Sequence, residues 1–223
     1  MLNLLILTLH VATISALTLF ALRFGKELMV AWLCILAVVM NLFVLKQITL
    51  FGLSVTSSDA LAVGYLLGLN LIQEFFGRAF ARKCVWISLF TSCGFVLLSQ
   101  IHLLYAPNQF DLSQPHFIFL FNPMPRIIFA SLFSFLTVQL FDLTFFSFLR
   151  EKTAGKYLTS RIALALVISQ TLDTLLFSYL GLYGIVASLT HIICLSLAVK
   201  GVVILLSTPF VSLSKKIVPY AQV

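Results

Sequence analysis

The sequence predicts an all-α protein whose helices form a polytopic transmembrane bundle, and composition, length and charge distribution support this. The chain has 223 residues, of which 61% are hydrophobic and only 9% charged, and its mean hydropathy is +1.11. An ordinary soluble domain is about 25% charged and 45–50% apolar. A spanning helix needs about 20 apolar residues, so this length holds about six or seven spans. Soluble enzymes and nucleic-acid-binding modules are excluded.

Seven apolar runs are predicted to span the membrane. They cover residues 2–22, 28–45, 59–76, 84–105, 124–149, 161–181 and 185–207. The short segment 47–58 is interpreted as either a simple loop or a re-entrant stretch. The longest connection, 106–123, holds three prolines and no Lys or Arg. No room is left for a soluble domain, so residues 1–223 are expected to form one transmembrane domain.

The basic residues are distributed unevenly between the two sets of loops. Segments after the first, third, fifth and seventh spans carry 11 of the 14 Lys and Arg residues, while the opposite set carries Lys46 alone. Basic loops stay on the cytoplasmic side of a membrane. The N-terminus is therefore predicted outside and the C-terminus inside, and the net charge of +7 indicates topology rather than a nucleic-acid partner.

Five charged side chains fall within or at the edge of predicted spans, where inserting a charge into the bilayer costs free energy. Asp142, Asp173 and Lys200 lie well inside spans five, six and seven, while Glu74 and Arg126 lie nearer the ends of spans three and five. A charge at mid-bilayer costs about 2.5–3.5 kcal/mol on insertion scales and usually faces a cavity or a partner. Alternatively, Glu74 and Arg126 could snorkel to an interface, and the other three could form ion pairs that only join helices.

Spans five and six contain a similar polar pattern, in which Gln and Asp stand three residues apart. The two segments are VQLFDLTFFSFL (138–149) and SQTLDTLLFSYL (169–180). At this spacing Gln139 and Asp142 share one helix face, as do Gln170 and Asp173. Facing units would form a polar pocket near the middle of the membrane, where transporters commonly bind substrate between related repeats. Such a pocket suits the N–H donors of a heterocycle or a cation, although the repeat could be coincidental in so apolar a chain.

Span three carries two further pairs at a spacing of four residues. Asn70 and Glu74 share a helix face, and Gly64 and Gly68 form a GxxxG pattern. Such a pattern packs helices closely, either within one chain or between two, so a homodimer is left open.

No motif for a metal, a cofactor or catalysis is found. The four histidines show no HExxH or paired spacing, and the chain contains no GxSxG or P-loop sequence. A membrane enzyme would need at least one such arrangement. We therefore expect neither a cofactor nor enzymatic activity.

Four ordered motifs resemble the queuosine precursor transporters, also called the vitamin uptake transporter family, over about residues 36–212. They are LNLIQEFFGRAFARK (69–83), Arg126 with SFLTVQLFDLTFFSFLR (134–150), SQTLDTLLF (169–177), and Lys200 with the closing Thr208-Pro209. The resemblance implies a bacterial inner-membrane importer of about six spans that carries queuine or related 7-deazaguanines for tRNA modification. The first span would then be an extension of this core.

The resemblance also implies a set of substrate-binding residues. They are Glu74, Arg126, Gln139, Asp142, Gln170, Asp173 and Lys200, with Asn70 where the family commonly has Asp. A second departure is Phe76, which stands where Tyr is usual. The implied partners are a small-molecule substrate and membrane lipid, with no nucleic acid.

Two other functions are weighed against this one. The chain could be the substrate-binding subunit of an ATP-driven vitamin importer, which would need partner chains to accumulate substrate. It could also be a structural membrane protein whose buried charges only pair helices.

Overall fold

The computed structural model describes residues 2–44, 46–50, 53–56, 58–122, 125–184 and 189–217, while the side chains of 47, 53–55 and 125–128 lie outside this description. Eight α-helices and one two-stranded hairpin follow one another along these residues. In chain order they are α1 (Leu2–Phe24), α2 (Lys26–Phe43), β1 (Gln47–Leu50), β2 (Leu53–Thr56), α3 (Asp59–Phe76), α4 (Arg78–His102), α5 (Gln114–Phe121), α6 (Pro125–Lys152), α7 (Leu158–Phe177) and α8 (Leu189–Ile217). A π-helical turn, Ser178–Leu182, extends α7.

The all-α prediction is confirmed, and the protein is a multi-pass membrane protein. Within the described residues, six helices are long and apolar enough to cross a membrane: α1, α2, α4, α6, α7 with its π-helical turn, and α8. The remaining predicted span, 59–76, coincides with α3, which is not among these six helices. Its polar residues can be accommodated because the helix is enclosed by protein rather than lipid.

Helix α3 is the centre of the bundle. It packs against α1, α2, α4, α6, α7 and α8, and 15 of its 18 residues are buried. Large apolar side chains such as Leu66, Leu69 and Ile72 have almost no exposed surface. By contrast, the outer helices expose many large apolar side chains, as expected where lipid is the solvent.

Three local features differ from the simple loops and spans expected from sequence. Segment 47–58 contains an antiparallel hairpin in which Gln47 pairs with Thr56 and Leu50 with Leu53. The long connection 106–123 contains the short helix α5. The helices α4 and α8 are also displaced from their predicted bounds, because Arg and Lys at their basic ends continue the helix.

Several basic segments lie together at one end of the bundle. The Lys26 ammonium at the start of α2 lies over the rings of Phe76 and Phe80, which flank the junction of α3 and α4. Arg78 donates to Thr144 near the end of α6. These contacts bring together segments that lie 50 or more residues apart in the sequence.

Candidate functional site

The most buried charged side chain of the predicted site is Asp142, on α6. It has no exposed surface, and its Oδ1 accepts a hydrogen bond of 2.6 Å from the Ser169 hydroxyl of α7. Asn70 of α3 lies beside the same carboxyl group, although neither of its amide atoms forms a hydrogen bond of standard geometry. Three helices therefore meet at this carboxylate.

Two buried glutamines lie on the same helices. Gln139 precedes Asp142 by three residues on α6, and Gln170 follows Ser169 on α7; both are buried. We call Asn70, Gln139, Asp142, Ser169 and Gln170 the central cluster.

The central cluster holds several buried polar atoms without a hydrogen-bond partner among the described residues. They are Oδ2 of Asp142, Oε1 of Gln139, Oε1 of Gln170, and both amide atoms of Asn70. Each such atom costs about 1–3 kcal/mol when it is buried unpaired. Most are acceptors, so a molecule that presents several N–H donors would satisfy them.

An aromatic pair adjoins the central cluster along α3 and α6. The rings of Tyr65 and Phe135 meet edge to face, with centroids 5.2 Å apart. Phe135 lies one turn from Gln139 on α6 and so shares its face. The Tyr65 hydroxyl is itself buried beside Ser88 of α4, without a hydrogen bond of standard geometry. This arrangement offers a flat apolar surface and a further polar atom near the cluster.

A second group joins α3, α7 and α8, and we call its three charged residues the acid–base triad: Asp59, Asp173 and Lys200. The Lys200 ammonium lies 2.8 Å from Oδ2 of Asp173 and donates to the Thr174 hydroxyl at 3.0 Å. Asp59, the first residue of α3, interacts electrostatically with both other members. Along α7, Asp173 follows Ser169 by one helical turn, so the triad adjoins the central cluster.

Glu74 lies apart from both groups, at the end of the bundle where the basic segments meet. Both of its oxygens accept hydrogen bonds from the guanidinium of Arg161, at 2.9 and 3.0 Å. Arg150 approaches it at 3.7 Å. Its environment is that of a structural ion pair.

The structure therefore divides the predicted site residues into three places. Asn70, Gln139, Asp142 and Gln170 belong to the central cluster, Asp173 and Lys200 to the triad, and Glu74 to the ion pair with Arg161. The side chain of Arg126 lies outside the described residues. The two Gln-Asp units do not converge on one symmetric pocket, because Asp142 faces α3 and α7 while Asp173 faces α8.

Sequence reasoning missed two polar residues of these groups, Ser169 and Asp59, and a third on α3, Gln73. Ser169 carried no signal, because serine is common in apolar helices. Asp59 resembled an ordinary helix start, although the structure buries it within the bundle. Gln73, whose amide donates to the Leu143 carbonyl and the Ser147 hydroxyl of α6, could have been found as a further amide inside a predicted span.

A separate, partly open cavity of about 90 Å³ lies between α2, α4, α5 and α6. Its polar lining includes Asn41, Ser92, Gln100 and Ser131, and it touches none of the predicted site residues. No three His, Cys, Asp or Glu side chains come together as a metal site in the described ranges.

Comparisons with known proteins agree with this picture of a transporter. Residues 60–214 match the family model described as "Putative vitamin uptake transporter". The chain is 31% identical over 200 residues to a protein of Bacillus subtilis (strain 168) named "Probable queuosine precursor transporter", and the match covers 88% of this chain and 87% of that protein. No solved structure matches the chain significantly.

Proposed function

Because the chain belongs to the vitamin uptake transporter family, we propose that it imports queuine or a related 7-deazaguanine precursor of queuosine across the bacterial inner membrane. The substrate would bind in the central cluster. The relative's name supports this class of substrate. The family also indicates a transporter rather than an enzyme.

The observation that carries the proposal is the set of unpartnered acceptors around Asp142. A 7-deazaguanine presents a ring N–H and an exocyclic amine side by side on one edge. A carboxylate can accept from both donors, and Oδ2 of Asp142 is buried and unpartnered. Hydrogen bonds to a charged group are worth about 1.5–3 kcal/mol each. Recognition of this edge would thus supply both affinity and specificity.

The neighbouring residues would contact the remaining polar edge and the flat faces of the base. The carbonyl oxygens of Gln139 and Gln170, and the amide of Asn70, are free to bond the remaining ring edge. The Tyr65 and Phe135 rings would contact its flat surface. Contacts between aromatic rings add about 0.5–1.5 kcal/mol beyond area burial.

The Asp173–Lys200 ion pair would influence which 7-deazaguanine the protein prefers. Queuine has a protonated secondary amine in its side group, and Asp173 could accept it. That amine would have to compete with Lys200, whose ammonium already lies 2.8 Å from the Asp173 carboxylate. A 7-deazaguanine without a charged side group avoids this competition, so we expect it to bind at least as well as queuine.

Access to the central cluster requires movement of helices. Asn70 and Asp142 are fully enclosed among α3, α6 and α7. Transporters expose a midplane site alternately to each side by moving one group of helices against another. The proposed cycle therefore opens the interface between α6 and α7 on one side at a time.

The test is uptake in a bacterium that can neither make nor import queuosine precursors. The chain is expressed alone, one 7-deazaguanine is supplied at a time, and queuosine in tRNA is measured. Wild type should restore queuosine, and Asp142→Asn should require about 10- to 150-fold more substrate, the equivalent of 1.5–3 kcal/mol.

Asp111→Asn is the matched control, because it makes the same chemical change in an exposed loop, where Asp111 bonds only nearby groups such as Ser113. Membrane levels of all variants are compared by immunoblot. Restoration by Asp142→Asn at wild-type substrate concentrations would contradict the proposed site. Binding without uptake would instead favour a subunit that depends on partner chains.

A further inference from the structure

Asp59 is a buried acid that the proposed recognition of the base does not use. Its side chain is only 5% exposed. Oδ1 receives a long hydrogen bond of 3.5 Å from the Ser196 hydroxyl of α8, and Oδ2 has no partner among the described residues. An unpaired buried carboxylate of this kind is rare unless its charge is neutralised.

The acid–base triad carries one negative charge more than its single ammonium can balance. The Lys200 ammonium already donates short hydrogen bonds to Asp173 and Thr174. Asp173 and Lys200 are the charged groups that act on Asp59 from α7 and α8; the described residues of α1, α2, α4 and α6 present none to it. With all three groups ionised, the triad would hold a net charge of −1 inside the bundle.

Asp59 also lies well inside the bundle. Its neighbours Ser196 and Lys200 are 7 and 11 residues from the first residue of α8, which corresponds to about 10–16 Å along the helix axis. The N-terminus of α3 favours a negative charge by about 0.3–1 kcal/mol. That is less than the several kcal/mol that removing an ion from water costs. Lys200 also attracts Asp59, but it already pairs with Asp173, so a bound cation would balance the second carboxylate.

A proton fits this position better than a metal ion does. Metal cations such as Ca²⁺ take six or more oxygen ligands, whereas Ser196 is the hydroxyl that the described residues bring to Asp59. A proton needs one carboxylate oxygen, and Oδ2 is unpartnered.

We propose that Asp59 is a proton-binding site that couples substrate import to an inward flow of protons. A proton from the outer solution binds Oδ2 of Asp59, which converts the carboxylate to a neutral carboxylic acid, and it is released to the cytoplasm when the cycle completes. The inference rests on the proposed function, because the proton is carried together with the substrate.

The contacts provide a route between the two sites. Protonation of Asp59 removes the excess negative charge of the triad and weakens the attraction between Asp59 and Lys200. Lys200 in turn forms an ion pair with Asp173 on α7. One turn away on α7, Ser169 binds Asp142 of the central cluster. The same helix thus contacts the proton site and the substrate site.

The test uses purified full-length protein reconstituted in liposomes with the membrane potential clamped. An inward gradient of one pH unit should support about tenfold accumulation of a 7-deazaguanine if one proton enters with each molecule. Asp59→Asn, which resembles the protonated acid, should lose this accumulation but retain exchange of labelled for unlabelled substrate at equal pH. Asp111→Asn should behave as wild type.

Three results would overturn the coupling. The first two concern wild type: accumulation that does not depend on the pH gradient, or accumulation that depends on a sodium gradient. The third is accumulation driven by the pH gradient in Asp59→Asn. If Asp59→Asn does not insert into the liposomes, the pH of the lumen is measured during uptake by the wild-type protein. Substrate entry without acidification of the lumen would contradict the proposal.

Proton binding is also measured without any substrate, so that failure of the proposed function is distinguishable. Infrared difference spectra of the purified protein should show a carboxylic-acid C=O band that disappears on raising the pH. The Asp59→Asn spectrum should lose the Asp59 component of this band and keep any component from Asp142, which is also buried with an unpartnered oxygen. Asp111→Asn should keep the whole band. An identical band in all three proteins would show that Asp59 is not the group that binds the proton, whatever the substrate is.

Discussion

Glu74 is held by two arginines that differ sharply in burial. The Arg161 side chain is 2% exposed, whereas that of Arg150 is 45% exposed. Arg161 also donates to the backbone carbonyls of Gly155 and Lys156. It therefore joins the end of α3 to the loop before α7, while Arg150 adds only a long contact at the surface.

Replacement of these arginines should have unequal effects on stability. Arg161→Ala leaves Glu74 without its two short hydrogen bonds and should lower the free energy of unfolding by about 3 kcal/mol, as for a broken buried pair. Arg150→Ala should lower it by about 0–1 kcal/mol, as for exposed pairs. Denaturant titration in detergent measures both; equal losses would contradict the assignment of Arg161 as the principal partner.

Hydropathy locates an isolated charge in a span but does not identify its partner. Glu74 and Arg161 are 87 residues apart, and nothing in either local pattern connects them. Asp173 and Lys200 were both recognised as costly residues, yet only the packing of α7 against α8 shows that they form an ion pair. Partners depend on tertiary contacts.

At the scale of the helix, α3 owes its central position to small residues on its surface. A Cβ atom added to Gly64 would collide with Ile14 of α1, and one added to Gly68 would lie 2.8 Å from Leu33 of α2. The GxxxG pattern therefore packs two helices of the same chain against α3. Close approach through small residues is a general means of helix association in membranes.

Substitution of one of these glycines should separate α1 from α3. Gly64→Ala is expected to destabilise the protein by about 1–3 kcal/mol, the usual cost of overpacking. Gly94→Ala on α4 is the matched control, because a Cβ there meets nothing within 4 Å, and it should raise helix stability by about 0.5–1 kcal/mol. Thermal unfolding in detergent compares the two, and an unchanged midpoint for Gly64→Ala would refute the packing role.

For the molecule as a whole, the basic end of the bundle predicts orientation. Contacts of Lys26, Arg78, Arg150 and Arg161 join the α1–α2, α3–α4 and α6–α7 junctions at that end. Basic loops remain in the cytoplasm. The predicted orientation therefore places the basic end inside the cell and the α4–α5 connection outside.

Reporter fusions test this orientation. A fluorescent protein that folds only in the cytoplasm should fluoresce when fused after Val223, and alkaline phosphatase at the same position should be inactive. Insertion of the phosphatase near Asp111, between α4 and α5, should give active enzyme. The reverse pattern would show that the charge distribution had been misinterpreted.

The helices of this protein were predictable from sequence because membrane insertion depends on local apolarity. Each predicted span overlaps a helix of the structure, and span three coincides with α3. The hairpin, α5 and the π-helical turn were not predicted, because short elements lack a long apolar run and depend on the helices around them.

The arrangement of the polar residues was decided only by the tertiary structure. Helical spacing placed Gln139 with Asp142 and Gln170 with Asp173, since neighbours on one helix follow from its period. It could not show that Asp142 lies beside Ser169 and Asn70, or that Asp173 pairs with Lys200. Nor could it show that Asp59 is buried next to that ion pair. Those relations depend on how α3, α6, α7 and α8 rotate about their axes as they pack, and the side chains of distant segments determine that rotation.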